Sequence, residues 1–241
     1  MTVMAPLASV TLRGLLGRRR TLLMLLLAAM PVLVGLVIRL SGGRPNPDPI
    51  LDTLVVRTVM PLVALVLGAA ALGSELEDGT AIFILTKPIP RWMTFLAKVL
   101  VAAGLTVALI VPTILLTGVL VAGASGTALA STLAFAAAAV LGSLAYVSIF
   151  AALSILTSRA LVLGLAYVLI WEGVLAGLLE GTRFLSIRQA TLGVAAALGA
   201  DPQIGEPLDA TVSLAVLVTA TVAAFIIGSW RLAVFEVRGT D

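Results

Sequence analysis

Six predominantly apolar stretches, at residues 21–40, 54–72, 95–121, 132–157, 160–179 and 211–230, constrain this chain more than any motif in it. Each is close to or beyond the roughly 20 residues that an α-helix needs to cross about 30 Å of hydrocarbon. No water is present there to satisfy free N–H and C=O groups, so a spanning segment must close its backbone bonds internally, and a helix does so. The stretches therefore predict an all-α integral membrane protein with six transmembrane helices, forming one transmembrane domain over residues 1–241. Composition agrees, since 61% hydrophobic against 11% charged residues leaves too few polar side chains to coat a water-soluble fold.

The chain has neither cysteine nor histidine, which removes disulfides, thiol nucleophiles, imidazole bases and the commonest zinc and haem ligands together. No catalytic, cofactor-binding or metal site is expected, and the chain is not read as an enzyme by itself. A pI near 10.0 would fit a nucleic-acid partner, but a net charge of +3 spread over the loops is what membrane topology alone produces. No nucleic-acid partner is expected.

An even number of spans puts both termini on one side. With the amino terminus inside, Arg13, Arg18, Arg19, Arg20, Lys87, Arg91, Lys98, Arg159, Arg231 and Arg238 are cytoplasmic, and Arg39, Arg44, Arg57, Arg183 and Arg188 lie outside. That asymmetry predicts a multi-pass protein of the cell (inner or plasma) membrane with cytoplasmic termini. The first apolar run contains Pro31 and no clear small-x-small cleavage pattern, so a retained span is expected rather than a signal peptide. Upstream, Ala8, Leu12, Leu15 and Leu16 share a helical face from which Arg13 and Arg20 point away, which predicts an amphipathic interfacial helix at about 5–20. Residues 41–52 and 123–131 read as plain connectors.

The segment 73–92, between the second and third spans, is an unusual loop. Ser74 and Glu77 have capping-box spacing, and Thr80 is placed to cap a short helix over Ala81, Ile82, Phe83, Ile84 and Leu85 that Pro88 must end. Glu75, Glu77 and Asp78 precede that helix and Lys87 follows it, as its dipole favours. Five consecutive apolar residues outside the hydrocarbon need a cover. Either a cytoplasmic partner grips them, or they sink into the lipid interface.

The order E-x-E-D-G-T, an apolar stretch, T-K-P-I-P-R and a lysine seven residues later resembles the signature of permease subunits of ABC exporters of the second type. Matching positions are Glu75, Gly79, Thr80, Pro88, Arg91 and Lys98, with Lys87 and Pro90 as departures around the turn. The resemblance implies that 73–92 is a coupling helix seated on a separate ABC ATPase (nucleotide-binding) subunit, with Glu75, Glu77, Gly79, Thr80, Phe83, Lys87, Pro88, Arg91 and Lys98 serving that contact. It also implies a second permease chain, as a homodimer, and ATP and Mg on the partner subunit alone. In agreement, the chain has no G-x-x-x-x-G-K-[ST] phosphate loop.

Glu172, beside Trp171, lies about 18 Å into the fifth span at 1.5 Å per residue, a depth at which an acid is costly and faces a cavity or a partner. Both residues are candidates for the substrate path, with Arg57 or Arg183 as possible partners of the acid. Alternatively Gly173, Gly177 and Gly181 break the helix and Glu172 serves architecture. Residues 181–210 are expected to form re-entrant or interfacial outer helices, and Ser143, Tyr146, Ser148 and Ser154 to pack and bond between helices. The combined expectation is the permease of an ATP-driven exporter for a hydrophobic or amphiphilic molecule. The alternatives are a proton-coupled secondary transporter using Glu172, and a membrane scaffold that anchors a cytosolic protein.

Overall fold

The computed structural model describes residues 11–12, 14–15, 17–43, 45–77, 90–123, 126–175, 180–202 and 207–234. Every regular element among them is helical. Helix α1 is Arg18–Leu40. Helix α2 runs without a break through Asp48–Ile50, a π-helical stretch Leu51–Val59, and Met60–Glu77. Helix α3 is Arg91–Ala122 and α4 is Gly126–Leu156. Helix α5 starts as Ala160–Ala166 and continues as π-helical Tyr167–Leu175; after a 3-10 turn at Glu180–Leu185 come α6, Ile187–Ala197, and α7, Ala210–Val234.

Five helices, α1, α2, α3, α4 and α7, are long and apolar enough to cross a membrane. The sixth expected span is represented by α5, whose described part, Ala160–Leu175, is only about 24 Å long at 1.5 Å per residue. Several boundaries also move. Helix α2 begins at Asp48, inside the expected connector, because Pro47 precedes it and the Asn46 side chain accepts a 3.2 Å bond from the Asp48 N–H. Helix α4 begins at Gly126, within the expected 123–131 loop, since its Ala-rich start propagates the helix outward. At the far end of α2 the backbone stays helical through Glu77, so Ser74 lies within a helix and not at the start of one.

The π-helical stretch in α2 ends two residues before Pro61. Pro61 has no N–H to give residue 57, and in a regular α-helix its ring would press on that carbonyl. Widening the preceding turns to i→i+5 relieves the conflict, and the Met60 N–H accordingly bonds the Val55 carbonyl while Thr58 Oγ1 donates to Thr53 O at 3.0 Å.

Packing divides the helices into an inner pair and a periphery. In α2 and α4, 67% of the most apolar window is buried, against 22% in α1 and 17% in α7, so α2 and α4 form the centre. Helix α4 touches α2, α3, α6 and α7 and buries Ala134, Ala136, Ala138, Ala139, Ala145, Ala151 and Ala152. Lipid tails compete with any apolar side chain, so helices in a bilayer gain from close backbone approach, which alanine and glycine permit. Gly68 shows the limit: a Cβ there would sit 3.0 Å from both Phe150 Cβ and the Val147 carbonyl. On α1, Leu22, Leu23, Leu26 and Leu33 are exposed, as suits a lipid-facing helix.

Helix α6 is 11 residues long, about 16 Å, and cannot span. The outer segment was expected as re-entrant or interfacial; this part of it is buried from Ile187 to Ala195 against α4, α7 and the π-helical part of α2. Ahead of α1, residues 11–12 and 14–15 are helical, with Leu15 buried and Leu12 exposed, and extended Gly17 separates them from α1. Ala8, Arg13 and Leu16 of the expected amphipathic face lie outside the described residues. Gly68→Leu should force α2 from α4, lowering stability by about 1–3 kcal/mol as overpacking does, read as a fall in the thermal unfolding midpoint in detergent.

Candidate functional site

Charged side chains collect toward the two ends of the bundle, and each end ties helices together. At the first end, Glu75 and Glu77 lie on the last turn of α2. Gly79, Thr80, Phe83, Lys87 and Pro88 lie outside the described residues. Arg91 is the first residue of α3, after Pro90 at its N-cap. Its Nη1 donates to the carbonyls of Leu232, at 2.9 Å, and Ala233, at 2.6 Å. Those oxygens belong to the last described turn of α7. Lys98, two turns into α3 and 1% exposed, donates from Nζ to the Ala71 carbonyl of α2 at 3.1 Å. Both basic residues of the motif thus reach neighbouring helices within the bundle.

The other end is built on three buried carboxylates. Glu172, 1% exposed, accepts from Tyr167 Oη at 2.9 Å, from Ser186 Oγ, and from the backbone N–H groups of Ile187 at 2.9 Å and Arg188 at 3.5 Å. Two of these donors are the first N–H groups of α6, so a side chain from α5 caps α6 in company with Ser186, whose own Oγ accepts from the Gln189 N–H at 3.0 Å. Asp52 of α2 pairs with Arg188 of α6 at 3.3 Å. Asp48 accepts from Ser131 of α4 and, at 2.7 Å, from the Asp201 N–H just beyond α6. Arg57 of α2 donates to the Gly173 carbonyl in the π-helical part of α5 at 2.7 Å, and Trp171 Nε1 reaches the Leu185 carbonyl at 3.4 Å.

Sequence reasoning found Glu172 and named Arg57 or Arg183 as its possible partner; Arg57 takes the Gly173 carbonyl, next to Glu172, instead. It missed Asp48, Asp52, Ser131, Tyr167, Ser186 and Arg188. The one available signal was the i, i+4 spacing of Asp48 and Asp52, which puts two acids on one face of a helix just where a span begins. Ser148 and Ser154 bond back to Leu144 and Ala151 of their own helix, correcting the expected interhelical bonds. Tyr146 packs as expected, its ring stacked on Phe150 at 5.9 Å. Among the described residues no group of three or more His, Cys, Asp or Glu side chains is disposed to hold a metal ion.

A helical bundle with five apolar helices of spanning length, and charge confined toward its ends, is a multi-pass membrane protein. Residues 16–181 match the family described as ABC-2 family transporter protein, more than two thirds of the chain, and the chain belongs to that family. Membership makes it a transmembrane permease component and implies pairing with an ATPase subunit. No curated protein was found to match the chain.

Removing the acid at position 52 strands a buried guanidinium. Asp52→Ala should therefore cost about 3–5 kcal/mol, whereas Glu172→Ala, which leaves dipolar donors unmet, should cost about 1.5–3 kcal/mol. Thermal unfolding of the two variants in detergent checks the order.

Proposed function

We propose that this chain is the transmembrane subunit of an ATP-driven exporter that carries a hydrophobic or amphiphilic molecule, lipid-like or drug-like, out of the cytoplasm or the inner leaflet. Two copies form a homodimer, each seated on a separate ABC ATPase subunit that binds ATP and Mg, and both termini are cytoplasmic. The family match over residues 16–181 carries the reading. The absence of a phosphate loop from the sequence supports it, because nucleotide must then be handled elsewhere. Apart from Glu172, whose carboxylate is held by protein donors, the spans carry no charge through their middle stretches, which favours an apolar cargo over an ion.

Residues 73–92 serve as the coupling segment, with Phe83 the apolar anchor in the ATPase groove. Glu172 is read as architecture in this scheme: its carboxylate oxygens are occupied by donors from α5 and the start of α6, which supports a fixed capping role better than a proton carrier.

The test is direct. The cognate ATPase should copurify with the chain, hydrolyse ATP in the complex, and lose coupled hydrolysis with Phe83→Asp while the spans stay folded. Since the chain has no cysteine, Phe83→Cys should react with an impermeant maleimide in inverted vesicles and resist it in intact cells. Labelling from outside the cell, or an ATPase indifferent to Phe83→Asp, would overturn the reading.

A further inference from the structure

The first turns of α3 are fastened to the last turns of α7 at three successive points. Arg91 spans the Leu232 and Ala233 carbonyls. One turn on, Phe95 is fully buried, its ring tilted 54° against Phe225 at 5.6 Å between centroids. The same ring fills the space over Gly228, where any Cβ would collide with it. Arg91 and Phe95 are spaced i, i+4 on α3, and Phe225, Gly228 and Leu232 follow at intervals of three and four on α7, so each set lies on one helix face. A polar fork, an aromatic pair and a glycine notch along one seam leave little freedom to slide: the fork fixes height along the axis and the notch fixes rotation.

Helix α7 also packs against α4 and α6, although most of its apolar surface faces outward. Lys98, on the same opening turns of α3, holds the Ala71 carbonyl of α2. Helix α3 therefore grips a helix on either side, and its first two residues are the end of the segment assigned above to the ATPase contact.

We propose that Arg91 and Phe95, with Gly228 opposite, form a clamp that passes movement from the opening turns of α3 to α7, so that α7 follows the ATPase through α3. Arg91 is on this account a positioning residue inside the membrane subunit and not a contact to the ATPase. The proposal rests on the exporter reading for the origin of the movement.

The experiment uses the complex with its ATPase subunit in lipid nanodiscs. The cysteine-free sequence allows a single nitroxide to be placed at Leu100→Cys on α3 or at Ile227→Cys on α7, both lipid-facing positions. Spectra are compared without nucleotide and after trapping with ATP and vanadate. In the parent protein both labels should respond. In Arg91→Ala, and separately in Gly228→Leu, the ATPase should stay bound and the Leu100 label should still respond, while the Ile227 response is lost. An Ile227 response that survives in both variants, or that is missing from the parent while Leu100 responds, overturns the clamp and leaves the exporter reading standing. Release of the ATPase by Arg91→Ala but not by Gly228→Leu overturns the positioning role of Arg91. A parent chain that binds no ATPase, or in which neither label responds, removes the exporter reading and the clamp with it.

Discussion

A carboxylate enclosed by protein has no water to turn to, and Glu172 meets that constraint by drawing a second piece of chain onto itself. Its oxygens collect a tyrosine hydroxyl from α5, a serine hydroxyl and the opening N–H groups of α6. Helix α6 is too short to cross the bilayer and too deeply buried to lie on its surface. Its amino end would be left with unmet donors in apolar surroundings without an acceptor supplied from outside the helix. Asp52 completes the arrangement by neutralising Arg188 on the same first turn of α6. A buried ion pair of this sort adds little net stability because desolvation offsets most of the attraction, but it fixes which helix sits where.

The middle of the bundle works by different physics. Alanines on α4 and glycines at 68 and 164 let backbones and large side chains approach closely, and dispersion between them takes the place of the hydrophobic force that lipid removes. Directional bonds are concentrated at the ends, close packing between them. Such a division lets each end keep a defined set of helix neighbours while the centre relies on close packing.

How much of this could be read from the sequence depended on the period and length of the signal. Long apolar runs declared the helices because nothing else is stable in hydrocarbon, and the motif around Gly79 and Arg91 declared the family because its glycine, proline and charges recur at fixed spacing. Helix ends were less legible. Asp48 and Asn46 looked like turn residues, as isolated residues of their type usually are, and only the return of α6 and the loop after it to the mouth of α2 shows why Asp48 starts a helix. Three of the partners of Glu172, at Ser186, Ile187 and Arg188, were beyond sequence reasoning because they lie 14 to 16 residues away in the chain. Arg91 was read as facing a partner protein since its motif does in the family it resembles; the carbonyls it takes belong to a helix 141 residues distant, and no local pattern announces them.

Wide-turned backbone occurs twice among the described residues, nine residues in α2 and nine in α5, each beside the buried acids. Bonding to the fifth residue along rather than the fourth takes up one residue more per closed loop, and one residue of an α-helix corresponds to a rotation of about 100°. Tightening residues 51–59 into regular geometry would therefore turn Asp48 and Asp52 relative to the Met60–Glu77 face, away from Ser131 and Arg188. The wider turns act as a phase shift that lets one helix hold Ser131 of α4 and Arg188 of α6 with its acids at the mouth and present Gly68 to α4 further along.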